Sequence, residues 1–400
     1  MRYELYKLLR KKMLLILLSV VYIWLLAALI VPALQYSTFT EDMKPLRGIE
    51  AIRYDRELQN VYSGRIPLTE LEKLWNEVKE IRAEIDGGNE SAYWQRFNRY
   101  RVIAFVGART YYLPLYVEDA RKSGDLSEFY AGTIEILPGD KGLVPVADTE
   151  SPIVKKVLDA YENIEYPLYG AYMGGWEDFF NFIPFFFQYA VGLLIVIGVA
   201  PLFADETSAG TSAILLTTRY GKSRMLVNKV VASLLYSAIL FFMFAITAIT
   251  AQLCLYGSDS LPASIQLINS KSPYNLSMGS VVGLWLLFGL LASITVAATT
   301  MLFSALANNA FTAFLPAALA YISPSFSYAG ASLFLHRCMK VLPSAVIGNI
   351  DTLFGAADYY NILGLLVERK ILIVICSVVF TVFFSYLTIC LYRRREPLRS

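Results

Sequence analysis

The sequence predicts an all-α polytopic membrane protein with six transmembrane helices and a large, mainly helical extracellular domain between the first and the second. Two observations indicate the class: 56% of the residues are hydrophobic, and they gather in runs as long as a bilayer core requires. A third observation indicates the domain. Most of the acidic residues fall in one long stretch, residues 36–180, between the first two apolar runs.

The chain begins with an amphipathic interfacial helix, predicted at residues 1–12, and a first transmembrane helix, predicted at 13–35. Tyr3, Tyr6 and Leu9 recur at helical spacing among basic residues, which is typical of a helix on an anionic leaflet. A basic start before an apolar run also describes a secretory signal. This run is longer than a signal core and no A-x-A site follows it, so we interpret it as a retained span.

Residues 36–180 are predicted to form the extracellular domain. Its clearest helix is expected at residues 67–88, because apolar residues recur there at steps of three and four. Gly87 and Gly88 follow as helix-ending residues. The domain is large enough to bury a small core of its own, and a lid over a transport path is an alternative role for it.

The second transmembrane helix, predicted at residues 181–204, is rich in aromatic residues in its outer half. Aromatic side chains favour the membrane interface, so one interpretation is an anchoring belt. The other interpretation is an aromatic wall along a path for an apolar substrate. The residues assigned to that path are Phe182, Phe186, Tyr189, Phe311 and Phe314.

Residues 230–392 hold the remaining four predicted transmembrane helices. Proline and glycine interrupt the chain between the fifth and the sixth, where outer re-entrant helices are expected at about residues 330–368. Residues 393–400 are predicted to be a cytoplasmic tail. The four spans are predicted at about residues 230–253, 279–304, 310–328 and 371–392.

The polar segment at residues 205–229, between the second and third spans, is predicted to be a cytoplasmic coupling loop. Its inner part, residues 211–218, reads TSAILLTT. That sequence predicts a short helix whose apolar side the loop itself cannot bury, so another surface is expected to dock there. The charged residues of the segment are Asp205, Glu206, Arg219, Lys222, Arg224 and Lys229.

The order of residues in this loop resembles the cytoplasmic loop of ABC-2 type transporter permeases. In that family the short helix lies in a groove of the ATPase subunit and transmits its closure. The family often has a proline before the basic residue, where this chain has Thr218. An ordinary basic loop that contacts only lipid headgroups is the alternative. Coupling to the ATPase subunit is assigned to Glu206, Gly210, Thr211, Leu215, Leu216, Arg219, Lys222, Arg224 and Lys229.

The resemblance implies a working unit of two permease chains and two ABC ATPase subunits, in which the second permease is identical or related to this chain. ATP and Mg²⁺ would be bound by the ATPase subunit, and this chain would hold no cofactor and no metal. Residues 221–223 read GKS, but a phosphate loop needs a glycine where Leu216 stands. No catalytic residue and no nucleic-acid partner are expected, and membrane lipid is the other expected partner.

The six predicted apolar cores contain no Asp, Glu, Lys, Arg or His. Ion-coupled carriers and intramembrane enzymes need such groups near the midplane, so we expect the energy to come from another chain. We therefore predict the permease subunit of an ATP-binding-cassette exporter that moves a peptide, an antibiotic or a lipid-like substrate. The alternative is a membrane-anchored receptor or assembly factor whose extracellular domain binds a ligand.

Charge predicts the orientation of the chain in the plasma membrane, which we expect to be bacterial. The predicted inner segments are rich in Lys and Arg, and positive charge near span ends favours the cytoplasm, so both termini are predicted to be cytoplasmic. Arg369 and Lys370, just before the sixth span, count against this orientation. Cys254 and Cys338 could both lie near the outer face and form a disulfide, or could be separate thiols.

Overall fold

The computed structural model of the chain describes most of the membrane-embedded part. Residues 89–151, which make up much of the predicted extracellular domain, and the tail beyond Arg394 lie outside the described residues. The described residues are 2–9, 11–40, 44–88, 163–165, 167–218, 220–269, 272–326, 333–346, 353–355, 357–362 and 364–394, with Pro152, Lys156, Asp159 and Ala160.

Helices dominate the described residues. In chain order they are α1 (Arg2–Leu9), α2 (Lys12–Gln35), α3 (Ile49–Asn60), α4 (Leu68–Asp86), α5 (Trp176–Ser208), α6 (Thr211–Thr217), α7 (Gly221–Tyr256), α8 (Met278–Leu306), α9 (Ala310–Phe326), α10 (Leu333–Val341), α11 (Pro343–Val346) and α12 (Arg369–Arg393). The strands form three antiparallel pairs: β1 (Ser37–Phe39) with β2 (Pro45–Arg47), β3 (Gly64–Arg65) with β4 (Tyr169–Gly170), and β5 (Tyr359–Ile362) with β6 (Leu365–Glu368).

Five helices, α2, α5, α7, α8 and α12, are long and apolar enough to cross a membrane. The predicted polytopic, mainly helical fold is therefore confirmed. The predicted fifth span corresponds to α9, which is apolar but shorter than these five and ends in a 3₁₀ turn at Ser323–Phe326. An Asn309 capping box begins it, in which the Asn309 side chain accepts a hydrogen bond from the Thr312 backbone N–H.

Two observed helix boundaries differ from the predicted ones because the helices extend beyond their apolar runs. The second span begins at Trp176 rather than at residue 181, and the acidic residues Glu177 and Asp178 lie in its first turn. Carboxylates are favoured at a helix N-terminus, so these two belong to the helix and not to the preceding domain. The predicted loop at 205–229 is itself mostly helical, since α5 continues to Ser208 and α7 begins at Gly221.

The core of the bundle forms around α8, which packs against α5, α7, α9 and α12. Trp285 of α8 is only 1% exposed and lies against aromatic rings of the neighbouring helices. Its ring centroid is 5.1 Å from that of Phe187 in α5 and 6.1 Å from that of Phe241 in α7. Aromatic packing of this kind fixes the spacing of three helices at once.

The bundle has two ends that are used below as landmarks. The terminal face is the end at which α1, the C-terminus of α5, α6, the start of α7 and the C-terminus of α12 meet. The domain face is the opposite end, where α2 ends and α5 begins. Residues 36–175 connect those two helices there.

The described part of the 36–180 segment is attached to the domain face through α3. Asp55 of α3 is buried and accepts hydrogen bonds from the Tyr36 hydroxyl at 2.5 Å and the Thr38 hydroxyl at 3.0 Å. Arg56 of the same helix pairs with Asp259 of the loop after α7 at 2.5 Å. The predicted helix at 67–88 is confirmed as α4, and Gly88 has a positive φ of 88° beyond its end.

Residues 330–368 are only partly as predicted. Short helices α10 and α11 are present, but the segment ends in the β5–β6 hairpin rather than in another helix. Tyr359 and Tyr360 favour a strand. Gly364 turns the chain with a φ of 89°, and its N–H donates to the Asn361 side chain at 2.9 Å. The turn at residues 361–364 therefore favours a hairpin over a helix here.

Candidate functional site

The short helix predicted between the second and third spans is confirmed as α6, at the terminal face. Gly210 precedes it with a φ of 66°, and the Thr211 hydroxyl donates to the Glu206 carbonyl at 3.2 Å. Ile214 on this helix is 69% exposed, and Leu215 is half-buried. An aliphatic side chain so exposed on a seven-residue helix provides an apolar contact point on an otherwise polar surface.

Of the basic residues around α6, those that the structure describes are exposed. The side chains of Lys222 and Arg224 are exposed. The Lys222 backbone carbonyl accepts a hydrogen bond from Arg393 Nε at 2.5 Å, which joins the start of α7 to the end of α12. Arg219 and the side chain of Leu216 lie outside the described residues.

Gly221, the first residue of the GKS tripeptide, has a structural reason to be glycine. A Cβ at this position would overlap the backbone oxygen of Leu215. The same oxygen accepts a hydrogen bond from the Thr218 hydroxyl at 2.7 Å, and the Gly221 N–H donates to the Thr218 carbonyl at 3.0 Å. The end of α6 is therefore packed closely against the start of α7.

Glu206 and Lys229, both assigned to coupling from the sequence, form an ion pair inside the protein. Glu206 near the end of α5 is 6% exposed and Lys229 of α7 is fully buried. Lys229 Nζ also donates to the Leu202 carbonyl at 3.3 Å and lies 5.2 Å from the centroid of the Phe203 ring. The pair joins the two helices that flank α6.

Three further residues complete what we call the terminal-face charge cluster, Glu4, Lys7, Glu206, Lys229 and Tyr392. Lys7 Nζ of α1 is 3.4 Å from Glu206, and Glu4 of α1 is 3.9 Å from Lys229. The Tyr392 hydroxyl of α12 donates to Glu206 at 3.4 Å. Two carboxylates face two ammonium groups, so the charges balance around the buried Glu206 and Lys229, although Lys7 itself is partly exposed.

The cluster ties α1 to the ends of three membrane helices, and a separate ion pair strengthens the same junction. Lys11, just before α2, pairs with Asp205 at 2.8 Å on the surface. Sequence reasoning did not assign Glu4, Lys7 or Tyr392, because Lys7 and Glu206 are 199 positions apart in the chain. The only local signal was the amphipathic pattern of α1, whose Leu8 is buried while Tyr3 is 74% exposed.

The structure does not bring the five predicted path residues together in one wall. Phe182 and Phe186 are neighbours, and both pack on Trp24 of α2 with ring centroids 6.2 and 5.1 Å away. Tyr189 instead packs on Phe185, at 4.5 Å between centroids. On α9, Phe311 is exposed, whereas Phe314 is half-buried against Ala200 and Ala204 of α5.

A π-helical turn at Phe187–Val191 interrupts the middle of α5. The Gln188 carbonyl accepts a hydrogen bond from the Tyr321 hydroxyl of α9, and the Gln188 side chain donates to the Ser325 hydroxyl. Gly192 has no Cβ where the Tyr321 ring lies. Turns of this type frequently mark functional positions in helices, and here one fixes α9 against α5.

The described residues include no group of three His, Cys, Asp or Glu side chains placed to hold a metal ion. All four cysteines are free thiols. Cys254 and Cys338 are both exposed and do not form the disulfide that the sequence left open.

Comparison with known proteins identifies a family. The family described as "ABC-2 family transporter protein" matches residues 1–382 of this chain. No curated protein matches the sequence, and no solved structure matches the fold. The family match covers α1, α6 and every helix of the bundle up to the last part of α12.

Proposed function

This chain belongs to the ABC-2 transporter family, and from that premise we propose that it is the membrane permease subunit of an exporter driven by a separate ABC ATPase subunit. The observation that carries the proposal is α6. It offers an exposed Ile214 at the terminal face, and it lies between two helices that the Glu206–Lys229 ion pair joins. A push on α6 would therefore reach α5 and α7 together.

The ATPase subunit is the proposed occupant of the α6 surface. An apolar side chain with Lys222 and Arg224 exposed nearby suits a groove that has an apolar floor and an acidic rim. Glu206 and Lys229 are buried, so their proposed role is to hold α6 in position rather than to contact the partner. Gly210, Thr211, Leu215, Lys222 and Arg224 remain the proposed contact region. ATP and Mg²⁺ would be bound by that partner.

The terminal face is proposed to lie in the cytoplasm. Exposed Lys12, Lys222 and Arg224 lie there, and positive charge near span ends favours that side. Arg369 and Lys370, which counted against this orientation, each have an acidic partner. Arg369 pairs with Asp358 at 2.6 Å and Lys370 with Glu368 at 3.4 Å. Acidic residues contribute little to this rule, so both bases still count against the orientation, and the proposal rests on the larger number of bases at the terminal face.

Six crossings are proposed rather than five. The chain leaves α8 at Leu306 on the terminal face and enters α12 at Arg369 on the domain face. The connection must therefore cross the bundle, and α9 is the described helix in it that packs along α5 and α8. At about 1.5 Å per residue, α9 is about 25 Å long, which local thinning of the bilayer can accommodate.

A second permease chain, identical or related, is proposed to complete the translocation path with two ATPase subunits. The exposed apolar side chains of α9, Phe311, Leu315 and Leu319, recur every four residues and form one stripe. Such a stripe suits either a second permease or lipid. The proposed cargo is a peptide, an antibiotic or a lipid-like molecule, and the apolar character of the bundle supports this choice.

The proposal is tested by coexpressing the chain with candidate ABC ATPase subunits from the same genome, purifying the complex and measuring ATP hydrolysis in lipid nanodiscs. We expect the intact complex to hydrolyse ATP faster than the isolated ATPase subunit. Ile214→Asp should remove the increase without changing the amount of chain in the membrane. The matched control is Val61→Asp, which adds the same charge at an exposed aliphatic side chain of the 36–180 segment, away from the terminal face. An ATPase that neither copurifies nor responds would favour a receptor or assembly role.

A further inference from the structure

We propose that a groove at the domain face, between α2, α5 and α7, binds the ammonium group and the first part of the alkyl chain of a cationic amphiphile. The inference rests on the proposed permease function, because it names a substrate class for it. The groove has a volume of about 430 Å³. Its principal lining residues are Leu29, Pro32, Asp178, Phe182, Gln252 and Tyr256.

Asp178 gives the groove its charge preference. It lies in the first turn of α5, its side chain is exposed, and it is the one charged residue among those that line the groove. Within the described part of the chain, no Lys or Arg forms an ion pair with it. A carboxylate at the mouth of an apolar groove attracts a cationic group and repels an anionic one.

Pro32, which also lines the groove, changes the backbone hydrogen bonding of α2. Proline has no backbone N–H, so inside a helix it leaves the carbonyl four residues earlier without its usual partner. In α2 that carbonyl belongs to Ala28, which also lines the groove. An ammonium group carries several N–H donors and can bond to a carboxylate and a carbonyl together, whereas an anion can bond to neither.

Apart from the polar side chains of Asn181 and Gln252, the rest of the groove is mainly apolar and aromatic. Phe179 and Ile183 of α5 are buried at its floor, and Phe182 lies along its side against Trp24. Asp178 and Ile183 are five positions apart, which is about 7 Å along a helix. That distance suits an alkyl chain that enters behind the charged group, and the aromatic rings favour a nearby cation.

The mouth of the groove is built by close packing. Gly175 precedes α5 with a φ of 73°, and a Cβ there would overlap the ring of Tyr256. The buried Gln252 side chain donates to the Gly174 carbonyl at 3.3 Å, which holds the same turn against α7. These contacts fix the start of α5, and Asp178 with it, beside the ends of α2 and α7.

The test is direct binding of radiolabelled dodecylammonium to the permease–ATPase complex in nanodiscs of zwitterionic phosphatidylcholine, with empty nanodiscs subtracted. We expect saturable binding that Asp178→Asn weakens at least about tenfold. The matched control is Glu177→Gln, because Glu177 is the adjacent exposed carboxylate and does not line the groove. That variant should bind like the unmodified chain, and Asp178→Glu should restore most of the affinity lost in Asp178→Asn.

Two further measurements make the outcome decisive. Leu29→Trp should fill the groove and remove saturable binding although Asp178 is present, and radiolabelled dodecyl sulfate should show no saturable binding. Equal binding of the sulfate, or undiminished binding by Asp178→Asn, would overturn the inference. ATP hydrolysis is measured on the same samples. If the amphiphile does not bind but ATP hydrolysis still depends on Ile214, only the groove proposal is rejected. If the permease does not stimulate ATP hydrolysis at all, the proposed permease function is rejected.

Discussion

Glu206 and Lys229 form a buried ion pair between the end of α5 and the start of α7, on either side of the exposed helix α6. Their burial separates two roles that the loop sequence could not distinguish. Surface residues of α6 and the following turn are available to a partner, whereas this pair joins the two helices that flank α6. Lys7 and Glu4 connect the pair to α1, which lies along the same face.

Lys229→Met should strongly destabilise the protein. The substitution leaves the buried Glu206 carboxylate with Lys7 as its one ion-pair partner and the Tyr392 hydroxyl as a neutral donor. Breaking one side of a buried pair costs about 3–5 kcal/mol. A thermal unfolding curve in detergent would measure the loss. Lys222→Met, which alters an exposed lysine seven positions earlier, should change the midpoint little. The double variant Glu206→Gln/Lys229→Met should recover part of the stability, and no recovery would contradict the pairing.

Gly221→Ala should uncouple ATP hydrolysis from the permease. The added methyl group would displace the backbone at Leu215 and so shift α6 away from α7. We expect the ATPase stimulation by the permease to fall several-fold in the reconstituted complex. Gly283→Ala is the control, since a Cβ there meets nothing within 4 Å. If both variants stimulated the ATPase like the unmodified chain, the close contact between α6 and α7 would have no role in coupling.

Attachment of α3 to the domain face should weaken in acid. The Arg56 guanidinium donates a hydrogen bond to Asp259 and lowers the pKa of that carboxyl, while Asp259 raises the pKa of Arg56. A carboxyl with a lowered pKa in the folded state contributes stability above its unfolded pKa of about 4, and this is lost as the pH falls through the folded value.

Hydrogen exchange of the α3 amides would measure this dependence. Opening should be constant from about pH 7 to 5, after correction for the intrinsic exchange rate, and should increase below about pH 4. Asp259→Asn should open more readily at neutral pH and show a smaller increase in acid. A variant with the same profile as the unmodified chain would show that the Arg56–Asp259 pair does not hold α3. Both side chains are partly exposed, so the effect should be small.

Tyr321→Phe should loosen the contact between α9 and the π-helical turn of α5. It removes the hydroxyl that donates to the Gln188 carbonyl, and a buried acceptor without its donor costs about 1–3 kcal/mol. Thermal unfolding again gives the value, with Tyr3→Phe on the exposed side of α1 as the control. Equal unfolding midpoints for the two variants would indicate that the Gln188 carbonyl does not depend on the Tyr321 hydroxyl for a hydrogen bond.

Hydropathy was sufficient to predict the long membrane helices, because an apolar run of this length is stable only as a helix in the bilayer core. It placed α2, α8 and α12 within a few residues of their observed bounds. It set the start of α5 too late, because Glu177 and Asp178 are polar yet favourable in a first helical turn. The β5–β6 hairpin was missed because a short apolar segment broken by glycine fits both a strand and a small helix.

The candidate site was predictable only in part. The short apolar sequence of α6 gave the helix and its exposed side, since those are local properties. The cluster of Glu4, Lys7, Glu206, Lys229 and Tyr392 was not, because it joins four helices distant in sequence.

The central claim, that α6 transmits force from an ATPase subunit in the cytoplasm, is tested most directly by cross-linking from Ile214. The experiment places Ile214→Cys in a chain whose four native cysteines are replaced by serine, labels it with a photoreactive maleimide in inverted membrane vesicles, and identifies the cross-linked protein by mass spectrometry. We predict a cross-link to the ATPase subunit. Labelling of the introduced thiol only from the outside of intact cells, or cross-links to lipid and no protein, would contradict the account.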